Sequence, residues 1–493
     1  MDIATACQRL AATRIGPVRG ERALRPVQDS RVVTPGDTFF ACHPDPVRRA
    51  AHVAAAGERG AAAVVLEPED HGLAGPGLGA LIVPAVRAAY AQTSAWCHGL
   101  DRRCPSVLAV TGTDGKTSTV WCAWHALGPG AARVGTLGLH DGGTLVDCAN
   151  TTPGPDQLHP FLAGLDPATV PGVALEASSI GLDQGRLSGV PCAAVVHTGL
   201  GHDHLDYHRD RAAYAASKLR LLDHAAPGAL AVYNADDPAC AAFARSARDR
   251  GLRVCALGLQ LGASRVTLAD GVWVLHHEAQ AYRLAAPAPG GFNAWNAAAG
   301  ALIAAAATGE PLARVCERLH NVPPVPGRLE LIRHDPRTYV DYAHTPDAIR
   351  RVIAVLREAH PTRRLVCVFG CGGDRDRAKR GPMGDAALSA DHAVLTTDNA
   401  RSEDPAAIAA EVAARVDPRV RVACEAPWPD AGLAVVLDRG EAIRLARRIA
   451  GVDGVVVVCG KGHETWQEIG GTRLDWDDRR FIRDLEPTEP IHG

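Results

Sequence analysis

Short apolar runs recur along this chain, and between them lie Ala-rich stretches of helical composition. Runs of four to six apolar residues bounded by turn residues are the pattern of strands buried on both faces, as in a parallel sheet covered by helices. In the first hundred residues the runs fall at 38–42, 61–66 and 80–83. A second group lies at 107–111, 172–176, 193–197 and 229–233, and a third at 338–341, 365–369, 393–397 and 455–458. The alternation with helical segments predicts an α/β protein with doubly wound parallel sheets. The 493 residues exceed what one core accommodates. Two breaks divide them: a polar hinge at 101–105, and Asn321-Val-Pro-Pro-Val-Pro326, whose prolines cannot continue a helix. The expected blocks are therefore 1–102, 103–325 and 326–493.

The run at 107–111 ends in Thr111-Gly-Thr-Asp-Gly-Lys-Thr-Ser118, and a helix-compatible segment follows. Gly112 and Gly115 let the backbone N–H groups of Thr113, Asp114 and their neighbours curl around a polyphosphate. Lys116 can neutralise its β and γ oxygens, the Thr117 hydroxyl can bind Mg²⁺, and the helix beginning near Ser118 adds its dipole. A plain strand–turn–helix junction has no need of both glycines and the Lys-Thr pair together. A nucleoside triphosphate is the expected ligand.

Polar residues gather where other strands end, which is where ligands bind in such sheets. Glu176 closes its run and could hold Mg²⁺ beside Thr117. His197, His202, His204 and His208 follow within twelve residues. Their spacing matches no common zinc site and no cysteine joins them, so one histidine serving a magnesium site is the better expectation. In the third block the polar clusters are Gly370-Cys-Gly-Gly-Asp-Arg-Asp376, Asp398-Asn-Ala-Arg401 and Gly460-Lys-Gly-His-Glu464.

Composition narrows the class. A net charge of −3 argues against binding nucleic acid or an anionic membrane through a broad electrostatic surface. Aromatics are only 4%, so Ala, Val and Leu must fill the cores. The 14 cysteines form no Cys-x-x-Cys pair, and Cys122 and Cys459 sit inside apolar runs; reduced core thiols are expected, not a disulfide framework. No apolar run reaches the ~18 residues of a membrane span, and Met-Asp-Ile-Ala-Thr-Ala at the start lacks a basic segment and apolar core. A cytoplasmic, monomeric protein is expected.

Taken together, Gly-Thr-Asp-Gly-Lys-Thr, Asp203-His-Leu-Asp-Tyr-His208, Tyr214-Ala-Ala-Ser-Lys218, Val340-Asp-Tyr-Ala-His-Thr-Pro-Asp347 and the cluster at 370–376 resemble the signatures of the Mur ligases over nearly the whole chain. The nearest branch is the UDP-N-acetylmuramoyl-tripeptide synthetases of the meso-diaminopimelate-adding type. The resemblance implies three domains: an acceptor-binding N-terminal domain, a central P-loop ATPase domain and a Rossmann-like C-terminal domain that closes on the reaction. It implies ATP and Mg²⁺, with Lys116 on the phosphates, Thr117 and Glu176 on one Mg²⁺, Glu176 and His204 on a second, and Lys218 carrying a CO₂-derived carbamate. It also places Asn293 and Asn296 on the adenine, and Arg328, Asp341 and His344 on the nucleotide.

By the same resemblance, Ser30, Thr151, Thr152, Ser178, Gln184 and Arg186 would bind a nucleotide-sugar dipeptide. Arg375, Asn399, Arg401, Gly460 and Glu464 would bind the incoming amino acid. Two arginines suit α-carboxylate capture and Glu464 an ammonium. Read alone, Asp29-Ser-Arg31 could equally be a turn cap, and Arg401 a surface arginine. The chain departs from the family pattern at Asp114 (usually Asn), Ile180 (often His), Gly199 (Asn) and Ala400 (Pro). Residues 42–52 also lack the Asp-Gly-His segment of the uridine-binding domain. Besides diaminopimelate ligation, two alternatives stay open: a paralogue joining an amino acid to another carboxylate acceptor, and a non-catalytic nucleotide-binding scaffold.

Overall fold

The structure is a computed structural model that describes residues 1–17, 24–75, 77–201, 203–417 and 431–486. Three principal sheets follow one another along the chain, one in each expected block. The first has five strands in the order Thr13–Ile15, Gly79–Ile82, Ala63–Leu66, Thr38–Phe40 and Pro26–Val27; only the first pairs antiparallel. Helix Pro46–Glu58 starts where the Asp45 carboxylate accepts from Arg48 N–H and Pro46 occupies the first turn.

The second sheet has eleven strands. At its centre Val107–Thr111 is buried along its whole length between Cys192–His197 and Val173–Glu176, parallel to both. The chain steps outward past one position to Ala132–Gly135, returns to fill it with Val173–Glu176, then crosses to the other side of Val107–Thr111. That reversal makes the carboxyl end of Val107–Thr111 a topological switch point, where a crevice opens. Its core is built from Val, Leu and Ala, as the scarcity of aromatics requires.

The third sheet has six strands ordered Glu330–His334, Arg337–Val340, Val455–Val458, Leu365–Phe369, His392–Leu395 and Gly432–Val435, parallel beyond the first hairpin. A separate hairpin, Trp466–Ile469 with Thr472–Asp475, turns at Gly470 and Gly471, both at positive φ. By contacts the chain forms two compact units: 1–284 with 295–319, and 285–294 with 320–493. The first and second sheets thus share a unit, and a division falls beside the proline-rich segment at 321–326.

Most expected strands match within two residues. Ala225–Asn234 begins four residues early, because Ala225 pairs with Cys192 before the register slips past Pro227, which has no N–H to give a ladder. The hairpin strands Ser264–Ala269, Val272–His277 and Gln280–Leu284 were not expected, although Val272-Trp-Val-Leu275 is a four-residue apolar run; the other two strands are half exposed and carry none. The thirteen described cysteines are all free, and Cys122 and Cys459 are buried. Among the described residues no helix is long and apolar enough to cross a membrane.

Candidate active site

Beyond Thr111 the chain turns through Gly112 (φ 148°) and Gly115 (φ 84°), conformations that glycine adopts without strain. A Cβ on Gly112 would lie 1.8 Å from Thr198 Oγ1. Thr198 is bound into this turn: its N–H donates to Thr111 O at 2.9 Å, and its hydroxyl donates to the carbonyl of Asp114. Lys116 then opens helix Lys116–Leu127, so the helix N-terminus faces the loop. Its Nζ donates to the carbonyls of Gly112 and Thr113 at 3.0 and 2.8 Å, leaving one of three N–H groups for a phosphate oxygen. Asp114 is exposed on the outside of the turn.

Glu176 is 1% exposed at the end of the neighbouring strand. Its Oε2 accepts from the hydroxyls of Thr117 (3.0 Å) and Thr136 (3.1 Å), and its Oε1 from Thr136 N–H at 2.9 Å. Among the described residues no lysine or arginine forms an ion pair with it. The Arg133 guanidinium, held over Trp121 and Trp124 at 5.4 and 5.1 Å, interacts with it electrostatically. Burial lowers the pKa of Arg133 to about 10, and attraction to Glu176 opposes that shift. A buried carboxylate met only by neutral donors, beside a P-loop hydroxyl, is a donor set that a hard divalent cation completes. Glu176 and Thr117 fit magnesium on that ground.

Lys218, on helix Arg211–Leu219, is 1% exposed. Its Nζ donates to Gly112 O at 2.8 Å and lies 4.2 Å from the centre of the Tyr214 ring. Burial first, and the Lys116 ammonium second, push Lys218 well below the usual lysine range. Tyr214 OH and Gly201 N both bond Thr113 Oγ1, at 3.0 and 2.8 Å, and tie this helix to the phosphate loop. His204 stands at φ 55°, its Nε2 3.5 Å from Asp203 and its ring 6.2 Å from Tyr214. His208 bonds Ser179 Oγ at 3.0 Å. His197 is buried against Cys240 Sγ at 3.1 Å, and burial lowers its pKa to about 3, so it is a neutral core residue. His202 lies outside the described residues. Among the described residues no three His, Cys, Asp or Glu side chains form a metal-holding group.

Several expected acceptor residues meet next to Glu176. Thr152 Oγ1 donates to Glu176 O at 2.7 Å and lies 3.0 Å from the Ser178 hydroxyl. Arg186 reaches Thr152 O at 2.6 Å and pairs with Gln184 Oε1 through Nε and a terminal nitrogen, at 3.1 and 2.8 Å. Thr151 bonds Thr136 Oγ1 at 3.1 Å. Ser30 is buried and opens the short helix Ser30–Val32. Asp29 accepts from Arg31 N–H and forms a forked pair with the Arg31 guanidinium, which draws its pKa down to about 2; this is the turn-cap arrangement. Of the adenine candidates, Asn296 Oδ1 accepts from Thr119 Oγ1 at 3.1 Å, while Asn293 Nδ2 donates to Pro289 O at 2.7 Å.

In the second unit Asp341 takes the N–H groups of Leu329 and Ala343, each at 2.7 Å, so it shapes its loop. Arg328 stacks on Tyr342 at 4.3 Å, and His344 Nδ1 bonds Tyr342 O at 3.0 Å. Asn399 Nδ2 donates to Glu464 Oε2 at 3.0 Å, and Gly460 (φ 108°) adjoins them. The Arg401 guanidinium lies on Gly373 O at 2.6 Å, and Arg375 is exposed. Sequence reasoning missed Thr136, Tyr214 and the fully buried Lys461; only Lys461 had a signal, being flanked by glycines at a strand end.

Residues 110–304 match the Mur ligase middle domain, and residues 327–462 match the Mur ligase, glutamate ligase domain. Over 472 residues the chain is 38% identical to the UDP-N-acetylmuramoyl-L-alanyl-D-glutamate–2,6-diaminopimelate ligase of Xanthomonas campestris pv. campestris, covering 92% of this chain and 91% of that one. It is also 38% identical to the ligase of the same name from Mesorhizobium japonicum, at 92% and 93% coverage. A solved structure of a ligase with that name superposes with a TM-score of 0.67 at 30% identity, covering 98% of both chains. Folylpolyglutamate synthase of Mycobacterium tuberculosis, solved with ADP and AMPPCP, shares the fold at a TM-score of 0.59 and 19% identity, over 82% of this chain and 96% of that one.

Proposed function

We infer the activity of this chain from one premise: it belongs to the Mur ligase family. It is an ATP-dependent ligase that joins meso-2,6-diaminopimelate to UDP-N-acetylmuramoyl-L-alanyl-D-glutamate, a step of peptidoglycan synthesis, and releases ADP and phosphate. The observation that carries this reading is the buried Glu176 carboxylate on the Thr117 hydroxyl, one strand away from a Lys218 amine held on the Gly112 carbonyl. A scaffold that only bound nucleotide would have no use for a buried carboxylate and a buried amine there.

The chemistry follows from charge. The acceptor carboxylate must approach the γ-phosphate, and both are anions. Magnesium, when bound, neutralises phosphate charge and orients the transferred group. Glu176 and Thr117 would hold it, and Glu176 with His204 would serve a second ion. Lys116 turns its remaining N–H toward the β and γ oxygens, and the N-terminus of helix Lys116–Leu127 adds a fixed positive field. The carboxylate oxygen then bonds to the γ-phosphorus and ADP departs, leaving an acyl phosphate. The diaminopimelate nitrogen bonds to the activated carbonyl carbon, a proton leaves that nitrogen, and phosphate departs with the C–O bond electrons. Arg375, Asn399, Arg401, Gly460 and Glu464 receive the amino acid; Thr151, Thr152, Ser178, Gln184, Arg186 and Ser30 receive the acceptor. Asn293, Asn296, Arg328, Asp341 and His344 serve the nucleotide.

Lys218 is suited to carry a carbamate. Burial favours the neutral amine, whose lone pair can bond to CO₂ with loss of one proton. The resulting anion would lie beside the phosphate loop, where it can support magnesium.

The test incubates the purified protein with ATP, Mg²⁺, bicarbonate and UDP-N-acetylmuramoyl-L-alanyl-D-glutamate, and compares meso-diaminopimelate with L-lysine for phosphate release. Diaminopimelate-dependent release is expected. Turnover only with another carboxylate acceptor would overturn the acceptor assignment and leave the ligase class standing. ATP binding without turnover on any acceptor would favour the scaffold.

A further inference from the structure

We propose that Lys461 is a positioning residue for the amino-acid site: it fixes Asn399 and Glu464 in the one arrangement that can present them to the incoming amine substrate. The inference rests on the assignment of those two residues to that site. Lys461 follows strand Val455–Val458 and lies between Gly460 (φ 108°) and Gly462 (φ 54°). These conformations favour glycine and turn the chain so that the lysine points inward; its side chain is 0% exposed. A Cβ on Gly462 would also strike Gly327 O and Tyr342 Cβ, each at 2.8 Å, so the turn cannot relax outward by substitution there.

The hydrogen bonds around Nζ determine the neighbours. Lys461 Nζ donates to Asn399 Oδ1 at 3.0 Å and to Glu464 Oε2 at 2.9 Å, and lies 5.2 Å from the Trp466 ring centre. Glu468 N–H also donates to Asn399 Oδ1, at 3.0 Å. With two donors on Oδ1, the amide can have only one orientation. Asn399 Nδ2 must face the other way, and it gives one hydrogen to Glu464 Oε2 at 3.0 Å. Oε2 is then satisfied twice. What remains is one Nδ2 hydrogen on Asn399 and Oε1 on Glu464: one donor and one acceptor, fixed relative to each other.

Both residues would be held less firmly without the lysine. Asn399 Oδ1 would keep only the Glu468 N–H, and Glu464 Oε2 only the Asn399 amide. Glu464, whose side chain is 19% exposed, could swing toward water. Lys461 is buried behind both and need not touch the substrate, so it acts through them.

The test is a kinetic split on the full-length enzyme. Lys461→Met is expected to raise KM for meso-diaminopimelate about tenfold or more, with KM for ATP and for the nucleotide-sugar dipeptide within about twofold of wild type. Lys461→Met leaves Glu464 without its ion-pair partner and could weaken folding, so the variant Lys461→Met/Glu464→Gln, which removes both charges, is measured beside Glu464→Gln. Because Lys461 acts through Glu464 as well as Asn399, the rise in diaminopimelate KM in the double variant is smaller than the product of the two single rises. Multiplying losses in that cycle, an unchanged diaminopimelate KM in Lys461→Met, or equal rises for all three substrates would each overturn the proposal. Wild-type enzyme that fails to turn over diaminopimelate overturns the amino-acid assignment as well; wild-type turnover with an indifferent Lys461→Met overturns the positioning role alone.

Discussion

Gly135→Ala adds one methyl group to the strand beside the buried Glu176 carboxylate. Gly135 has no positive φ, so alanine fits the backbone, and the strain falls on one neighbour. The new Cβ would lie 2.3 Å from Glu176 Oε1 and 2.8 Å from both Cδ and Cγ. Ordinary carbon contacts begin near ~3.5 Å, so the carboxylate must retreat by about 1 Å. It has little freedom to do so: it is buried and anchored by Thr117 and by both donors of Thr136. Retreat breaks the 2.9 Å bond from Thr136 N–H and lifts Oε2 away from Thr117. A displacement of this size in a positioned group costs about 100-fold in rate, or about 2.7 kcal/mol of transition-state stabilisation. One lost bond to a buried carboxylate also destabilises the fold by about 1–3 kcal/mol. The assay measures phosphate release against magnesium concentration, with thermal unfolding followed in parallel. The expected result is a kcat/KM lower by about two orders of magnitude and a raised magnesium half-saturation in a folded protein. Gly164→Ala, where an added Cβ meets nothing within 4 Å, is the control and should leave both unchanged. Wild-type kcat/KM and magnesium response in Gly135→Ala would refute the placement of Glu176 at the reacting phosphate.

Two further outcomes follow from the buried groups. Lys218→Ala should lose at least about 100-fold in kcat, and formate or acetate should restore part of it; wild-type activity in the variant would end the carbamate role. His159 is buried with neither ring nitrogen hydrogen-bonded, and burial lowers its pKa to about 3 from an ordinary 6.5. Because the folded-state pKa is depressed, the unfolded chain takes up a proton as pH falls through about 6.5 while the folded protein does not until about 3. Stability is therefore retained above that window and lost within it. From pH 7.5 to 5 this one group removes about 2 kcal/mol, so His159→Leu should gain that much relative stability over the same interval. An equal difference between variant and wild type at both pH values, by denaturant unfolding, would show that the ring is protonated or solvated in the fold.

How far the sequence reached depended on whether a residue's role is local. Gly112, Gly115 and Lys116 were legible because the turn itself demands glycine and the following helix supplies the field. The central strands were legible as unbroken apolar runs. Glu176 was legible only in company: a strand-ending carboxylate means little until a phosphate loop lies beside it. Thr136 was not legible, because its bond to Glu176 spans 40 residues and depends on the parallel register of Ala132–Val134 with Val173–Leu175. Tyr214 bonds Thr113 across 101 residues, and no spacing rule anticipates that. Asp29 shows the opposite limit. It caps its own turn and pairs with Arg31, the alternative the sequence left open for these two residues, and that pairing leaves the assignment of Ser30 between them untouched.

The two buried groups at the phosphate loop have opposite faults, and that pairing argues for function more strongly than either motif. Glu176 is an acid whose hydrogen bonds come only from neutral donors, with the Arg133 guanidinium acting on it without a direct bond. Lys218 is a buried base whose charged form is disfavoured first by burial and second by the Lys116 ammonium, against the opposing pull of Asp203 and Asp114. Were these groups merely structural, swapping their surroundings or pairing them would be more stable, because a buried charge is tolerated best beside its opposite. The fold instead fixes them apart, with the carboxylate on Thr117 and the amine on the Gly112 carbonyl. A divalent cation bound to a polyphosphate remedies the first fault, and conversion of the amine to an anion remedies the second. Buried ionisable groups whose charge a ligand would balance are what a reaction centre requires. If Lys218→Met and Glu176→Gln each stabilised the free protein while abolishing turnover, that reading would be upheld; destabilisation by both would show that the two groups hold the fold together instead.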